Sequence, residues 1–284
     1  MRTVRTKAEL RESLDEPRGA GSSVGLVPTM GALHAGHLSL IRAARRACDI
    51  VVVTLFVNPP QFGAADDLAS YPHDEARDAA LAEAEGADLL FAPATEEIYP
   101  VGFTTAVEVS GLTDVLCGAP ESRGHEHFRG VTTVVVKLLN LVQPDIAYFG
   151  QKDAQQGIVL RRMVRDLDFP VRVDVLPIVR EPDGLAMSSR NRYLGPEERG
   201  RAAALSRALR AAEGAAAGGE RSVDAVLAAA RTQLREAGIE PEYVEARDAE
   251  DLTPAKSFNG RPVLVALAAR IGRARLIDNT LIGG

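Results

Sequence analysis

Residues 24–37 read Val24-Gly-Leu-Val-Pro-Thr-Met-Gly-Ala-Leu-His-Ala-Gly-His37, and this stretch predicts the architecture around it. Its apolar start, bounded by glycine and proline, is typical of a buried strand. After His37 the apolar residues recur at spacings of three and four, which predicts a helix. We therefore expect a strand, a glycine-containing turn and a helix, with His34 and His37 at the helix N-terminus.

The two histidines occupy a position that suits anion binding. The first backbone N–H groups of a helix have no internal partner, and together with the helix dipole they attract negative charge. Gly31 and Gly36 have no Cβ, so that a ligand or another backbone segment can approach closely. The residues alone leave two readings open: His34 and His37 contact a phosphate group, or they cap and pack the helix start. Their position directly after a strand and a turn favours the phosphate site.

The composition bounds the class of protein. The chain has 284 residues, of which 46% are hydrophobic and 25% charged, ordinary values for a globular protein with a sizeable core. The formal net charge of −6 argues against a general nucleic-acid-binding surface. An acidic protein that binds a polyphosphate must concentrate positive charge locally. Lysines and arginines near the motif are therefore more informative than the net charge.

The cysteines and the N-terminus predict a cytoplasmic protein. Cys48 and Cys117 form no pattern that indicates a disulfide framework or a zinc site. Residues 1–14 are charged and lack the apolar core of a secretory signal. No run approaches the roughly 18 apolar residues that a membrane span requires.

Alternating strands and helices predict an α/β fold with a parallel sheet that is covered on both faces. Besides the strand at Val24, strands are predicted at Ile50–Val57, Asp88–Ala92, near Ala106–Val109, at Asp145–Phe149 and near Val171–Val175. Helices are predicted up to about Ala47 and at Asp74–Gly86, Val131–Val142 and Ala154–Asp166, with a polar loop at Gly118–His127.

The pattern changes near residue 180, where a smaller α+β domain is predicted. A turn signal at Glu181–Gly184 opens this part of the chain. Helices are expected at Pro196–Glu213 and Val223–Gly238, and strands at Pro241–Ala246, Pro262–Ala269 and Arg273–Asn279. We predict a catalytic domain over residues 1–179 and a C-terminal lid domain over residues 180–284.

Several polar segments follow predicted strands or lie near the domain boundary, namely Met30–His37, Asn58–Gln61, Gly150–Asp153 and Met187–Arg190. Ligands of open parallel sheets bind outside the carboxyl ends of the strands, so we expect these segments to converge. Lys152 is either a phosphate partner at a helix start or a solvated surface lysine. Asp153 either caps that helix or helps to hold Mg²⁺ through water.

The remaining polar candidates are weaker when each is taken alone. Ser188, Ser189 and Arg190 offer two hydroxyls and a guanidinium to phosphate oxygens, although such a sequence is common in loops. Gln61 is either a ligand of a substrate hydroxyl or carboxylate, or an ordinary loop residue.

Several blocks of the chain closely resemble the pantothenate synthetase family, in the family's order. The blocks are Pro28–His37, Phe56–Phe62, His127–Val131, Phe149–Asp153 with Gln155-Gln156, and Arg180 with Gly184–Leu194. The resemblance spans most of the chain and is strongest over residues 24–194. It implies a Rossmann-like nucleotide-binding domain of the nucleotidyltransferase type, followed by a smaller α+β domain.

The resemblance also implies roles for individual residues. His37 matches the histidine usually named as proton donor, and with His34 and Lys152 it forms the expected catalytic set. Gln61 and Gln156 match glutamines that contact pantoate, and Gln61 also lies near the β-alanine site. The implied ATP-binding residues are Met30, Gly31, Ala32, Leu33, His34, Ala35, Gly36, His37, Gly150, Gln151, Lys152, Asp153, Val179, Met187, Ser188, Ser189 and Arg190.

The chain departs from the family pattern at several positions. Gln151 stands where the family usually has glutamate, which we expect to alter metal or ATP affinity. Ala35 also replaces a common glutamate, and the loop at residues 118–127 carries extra residues. An acidic residue next to the metal in relatives falls near Asp78, a candidate metal ligand, although the adjacent Arg77 occupies a position that is often acidic.

The implied activity is the ATP-dependent ligation of (R)-pantoate and β-alanine through a pantoyl adenylate, with release of AMP and pyrophosphate. The implied cofactors and partners are ATP as a substrate, Mg²⁺, the two small substrates and a second copy of the chain, without nucleic acid or membrane. Two other classes stay open: a cytidylyltransferase-like enzyme, which would keep the nucleotide on its product, and a nucleotide-binding regulator without turnover.

Overall fold

The computed structural model of the chain describes residues 1–63, 68 and 71–283. These residues form two compact units. The first unit contains the described residues within 1–150 and 159–176, and the second contains those within 151–158 and 177–283. The predicted domain boundary between residues 179 and 180 stays a prediction.

The first unit is built on a six-stranded parallel sheet, which confirms the predicted α/β class. Its strands are β1 (Arg2–Val4), β2 (Val24–Thr29), β3 (Ile50–Leu55), β4 (Leu89–Phe91), β5 (Ile146–Gly150) and β6 (Arg172–Leu176). Their spatial order is β1-β4-β3-β2-β5-β6. Strands β3, β4 and β1 lie on one side of β2, and β5 and β6 lie on the other. The strand order therefore reverses between β2 and β5.

The helices that cover this sheet agree closely with the sequence pattern. They are α1 (Lys7–Gly19), α2 (Ala35–Ala47), α3 (Glu75–Ala84), α4 (Thr95–Ile98), α5 (His125–Val142) and α6 (Ala154–Asp166). The short α4 was not predicted. The first five residues of α6, 154–158, belong to the second unit. Helix α5 begins six residues before its predicted start, so the end of the predicted loop at Gly118–His127 is helical.

Alternate residues of the central strands are buried on opposite faces of the sheet. Val52 of β3 packs in a core with α1, α5 and α6, whereas Val51 and Val53 pack in a second core with α2 and α3. Side chains of a strand alternate between the two faces, and here both faces are covered. This burial explains why the strands read as continuous apolar runs.

The predicted strand near Ala106–Val109 is wrong, because this segment has no strand structure. The Val107 N–H donates to Thr133 Oγ1 at 2.9 Å, and the Val107 carbonyl accepts from Thr132 Oγ1 at 2.6 Å. Two threonine hydroxyls of α5 thus satisfy backbone groups that a sheet would otherwise pair.

The second unit carries a three-stranded antiparallel sheet with helices, as predicted. Its elements are α7 (Pro196–Ala202), α8 (Ala204–Ala217), α9 (Val223–Glu236), β7 (Pro241–Asp248), β8 (Val263–Ile271) and β9 (Ala274–Ile282). The sheet order is β7-β8-β9. The single helix predicted at Pro196–Glu213 is divided in two, and α8 continues through Gly214 because the buried Ala216 completes the core beneath it.

None of the helices in the described part of the chain combines the length and the apolar character that a membrane crossing demands.

Candidate active site

The histidine motif lies between β2 and α2, as the sequence predicts. His34 is the N-cap of α2, and its Nδ1 accepts from the Gly36 N–H at 3.2 Å. His37 lies in the first turn, and its Nδ1 accepts from the His34 N–H at 3.4 Å. The two half-buried rings are 4.1 Å apart between centroids. An imidazole that accepts at Nδ1 carries its proton on Nε2 when neutral, so the caps set the tautomer of both rings.

The turn before His34 is held by a buried carboxylate. Asp78 of α3 is 1% exposed, and its two oxygens accept from the N–H groups of Ala32 at 2.7 Å and Leu33 at 2.8 Å. Gly31 and Ala32 have positive φ angles of 90° and 52°. Two consecutive residues in this region are unusual for L-amino acids, and the pair of charge-assisted hydrogen bonds stabilises the turn. The cap histidine is thereby placed at the end of β2.

These contacts do not support the candidate metal-ligand role of Asp78. Mg²⁺ takes six oxygen ligands at short distances, and the oxygens of Asp78 already bind two amides, with Arg77 Nη1 at 3.4 Å from one of them. In the described ranges, no group of three or more His, Cys, Asp or Glu residues is arranged to hold a metal ion. The donor set does not fit a resident Mg²⁺ site, and Asp78 acts on the backbone instead.

Gln61 ends a 3₁₀ turn, Pro59–Gln61, that follows β3. Its Nε2 lies 3.1 Å from Met30 Sδ, so the structure brings together the Met30–His37 and Asn58–Gln61 segments, as predicted. Asn58, which is 1% exposed, donates from Nδ2 to Gln61 Oε1 at 3.1 Å and to the Gly130 carbonyl at 3.0 Å. This role of Asn58 was not predictable from the sequence, because an Asn-Pro pair by itself indicates only a turn.

Two aromatic side chains complete the support of this turn. The Tyr99 hydroxyl donates to Asn58 Oδ1 at 2.6 Å. Burial raises the pKa of Tyr99 to about 12, so the phenol keeps the proton that it donates. His127 Nδ1 lies 2.6 Å from the Gln61 carbonyl oxygen. Gln61 is therefore fixed at both its side chain and its backbone.

The second unit contains the other predicted site residues except Gly150, which belongs to the first unit. Gln151–Asp153 form a 3₁₀ turn directly after Gly150, the last residue of β5. The Lys152 side chain is only 18% exposed, and its Nζ lies 3.2 Å from the Asp153 carboxylate. This environment is therefore not that of a fully solvated surface lysine. Gln156 is half-buried in α6.

A hairpin carries the Val179 and Met187–Arg190 candidates. The Met187 N–H donates to the Val179 carbonyl at 3.0 Å, and Ser188 Oγ accepts from the Arg190 N–H at 3.2 Å. Ser188 thus caps the 3₁₀ turn Ser189–Tyr193. All four residues from 187 to 190 are partly buried.

An open parallel sheet with a histidine-bearing helix N-terminus at its switch point defines a Rossmann-like α/β protein with a nucleotide-type site. The chain belongs to the pantoate–β-alanine ligase family, whose family model matches residues 2–281. This membership confirms the predicted family, fold class and enzyme class.

The similarity to known members covers the whole chain. A pantothenate synthetase from Moorella thermoacetica is 52% identical over 286 residues, covering 99% of each chain. A crystal structure of pantothenate synthetase from Thermus thermophilus matches with a TM-score of 0.92 and 49% identity, covering 100% of each chain. A pantoate–β-alanine ligase from Francisella tularensis, described as complexed with β-γ ATP and β-alanine, matches with a TM-score of 0.81 and 31% identity, covering 99% of this chain and 97% of that one.

The close contact between α5 and the Asn58–Gln61 turn generates the first prediction. A Cβ on Gly130 would lie 2.6 Å from the Gln61 backbone nitrogen, whereas a Cβ on Gly200 in α7 would meet nothing within 4 Å. We expect Gly130→Ala to lower the free energy of unfolding by about 1–3 kcal/mol, because backbone atoms must move. We expect Gly200→Ala to raise it by about 0.5–1 kcal/mol, because alanine favours the helix.

Denaturant unfolding of both variants measures this difference. If Gly130→Ala were as stable as Gly200→Ala, the contact between α5 and the turn would not be tight, and the support assigned to Gln61 would be wrong.

Proposed function

We propose that this chain performs the ligation named by its family in two steps. In the first step a pantoate carboxylate oxygen bonds to the α-phosphorus of ATP, and the bond to the pyrophosphate oxygen breaks. In the second step the β-alanine amine bonds to the acyl carbon of pantoyl adenylate, AMP leaves, and the amine loses a proton. The observation that carries this proposal is the pair of histidines, His34 and His37, that cap the N-terminus of α2.

The histidine pair suits the charge that develops in the first step. Negative charge accumulates on phosphate oxygens as pyrophosphate leaves, and groups fixed in advance stabilise it best. His34 and His37 each accept at Nδ1 from a backbone amide, so their Nε2 protons are set as donors. The positive end of α2 adds to the same effect. We assign Lys152 a corresponding role on the phosphates, as a positive charge that follows β5.

The wider set of contacts is proposed from the family resemblance together with local structure. ATP is bound by the segments 30–37, 150–153 and 187–190 with Val179, and pantoate and β-alanine are bound by Gln61 and Gln156. The rigid support of Gln61 by Asn58 favours this role, because a substrate-binding amide works best when its orientation is fixed. The Francisella tularensis relative, described as complexed with β-γ ATP and β-alanine, supports ATP and β-alanine as ligands of this chain.

Mg²⁺ is proposed to enter as part of the substrate. Proteins commonly bind Mg²⁺ through substrate phosphates and retained waters rather than through an all-protein cage. The engagement of both Asp78 oxygens by the Ala32 and Leu33 amides is consistent with that mode of entry. A homodimer, a cytoplasmic location and the division into domains at residues 179 and 180 are further proposals that rest on the family resemblance and the sequence.

The adenylating step predicts exchange of labelled pyrophosphate into ATP. With Mg²⁺ and pantoate present and β-alanine absent, we expect exchange that requires pantoate, because pantoyl adenylate and pyrophosphate recombine. Addition of β-alanine should then release AMP.

Two results of the exchange assay would contradict the proposal. Binding of ATP without any exchange would indicate a nucleotide-binding regulator. A nucleotide retained on the product would indicate a cytidylyltransferase-like reaction.

The Nε2 proton of His37 as the donor predicts losses of different size for two substitutions of this residue. His37→Asn keeps an acceptor where Nδ1 lies and removes the Nε2 donor, so we expect the adenylation rate to fall about a hundredfold or more. His37→Gln places an amide donor near the position of Nε2 and should retain more activity. Lys152→Ala should also lose far more rate than stability.

Single-turnover adenylation and denaturant unfolding separate these effects, with the exposed His125→Asn as the matched control. The catalytic assignment would be contradicted if the Asn and Gln variants lost rate equally and in proportion to a loss of unfolding free energy.

A further inference from the structure

Two adjacent buried residues of β9, Asp278 and Asn279, hold two separate segments of the second unit. Asp278 is 1% exposed and Asn279 is 4% exposed. Neighbouring side chains of a strand point to opposite faces of the sheet. One pair of residues can therefore bind one segment on each side, and nothing in the sequence pattern of β9 indicates this role.

Asn279 binds the turn that contains Lys152. Its Nδ2 donates to the carbonyl oxygens of Gln151 at 2.9 Å and Lys152 at 3.0 Å. Its Oδ1 accepts from Gln151 Nε2 at 3.0 Å. The two carbonyls fix which end of the amide is nitrogen, because only an N–H group can donate to them. Three hydrogen bonds thus join the Asn279 side chain to this turn, two to its backbone carbonyls and one to the Gln151 side chain.

The side-chain amide of Gln151 matters for this arrangement. A glutamate at this position would turn a carboxylate rather than an N–H donor towards Asn279 Oδ1. The amide of Gln151 thus completes the hydrogen bonding of Asn279.

Asp278 binds the base of the hairpin that carries Met187–Arg190. Its oxygens form a two-point ion pair with Arg180, at 2.6 Å from Nη1 and 3.0 Å from Nη2. Arg180 Nη1 also donates to the Gly184 carbonyl at 3.0 Å across the turn. Burial raises the pKa of Asp278 while the Arg180 guanidinium opposes that shift, so the negative charge of Asp278 depends on Arg180.

The two halves are linked through the backbone, since the Asn279 N–H donates to Asp278 Oδ1 at 2.8 Å. We propose that Asp278 and Asn279 form a positioning pair that fixes the Gln151–Asp153 turn and the Arg180–Arg190 hairpin for binding the phosphates of ATP. This inference rests on the ATP-binding roles proposed for those segments.

The test compares three variants by calorimetric titration with ATP in the presence of Mg²⁺. Asn279→Asp puts an oxygen against the Gln151 and Lys152 carbonyls, and we expect the Kd for ATP to rise about tenfold or more. Gln151→Glu loses one of the three bonds and should raise the Kd less. Thr280→Val, the control on the same strand, loses a hydrogen bond to Glu213 and should leave the Kd unchanged.

A second readout separates positioning from loss of structure. We expect the free energy of unfolding to fall more in Asn279→Asp than in Thr280→Val, because only the first turns a buried oxygen against carbonyl oxygens. We expect the KM for β-alanine to change less than the Kd for ATP. Equal Kd values for ATP in Asn279→Asp and Thr280→Val would overturn the inference. If Asn279→Asp does not fold, an unchanged Kd in Gln151→Glu overturns it instead.

The titration is independent of turnover, so the inference and the proposed function can fail separately. Absence of pantoate-dependent pyrophosphate exchange in the unmodified protein would contradict the function, whereas the ATP titration would still decide whether the pair positions the turn.

Discussion

The site depends first on the contact between the Asp78 carboxylate and the amides of Ala32 and Leu33. Those amides lie in a turn with two consecutive positive φ angles, a conformation that the local sequence does not secure by itself. The carboxylate comes from α3, and it is almost completely buried. Because it fixes the turn, His34 can cap α2, His37 can accept from the His34 amide, and both imidazoles receive a defined tautomer.

The same physical arrangement recurs behind each of the proposed binding segments. Asp78 holds the turn before α2, Asn58 holds the turn that ends at Gln61, and Asn279 holds the turn that contains Lys152. In each case a buried polar side chain uses both of its polar atoms, and at least one of them bonds to the turn that it holds. Such a side chain is inexpensive to bury while all its partners are present, and removing one partner leaves the others unpaired in a dry environment. Rigid turns of this kind suit a reaction whose catalysis consists of positioning and charge stabilisation.

The parts of this structure that depend on local pattern were predictable from the sequence. Buried strands read as apolar runs, the apolar spacing after His37 predicted α2, and the resemblance of the motif blocks identified the family. The wrong strand near Val107 had a suitable apolar pattern, but threonine hydroxyls of α5 satisfy its backbone. The roles of Asp78 and Asn279 were not predictable because their partners lie 46 and 127 residues away in sequence, and no local spacing encodes such contacts.

The most direct measurement is the maximal rate of adenylation by the Asp78→Asn variant as a function of Mg²⁺ concentration. The amide keeps the size of the side chain but presents an N–H group to one of the two backbone amides. If Asp78 fixes the turn, the maximal rate falls at every Mg²⁺ concentration and the half-saturating concentration of Mg²⁺ stays at the value of the unmodified protein. Recovery of the full rate at high Mg²⁺ would show that Asp78 is a metal ligand and would contradict its role as the support of the turn.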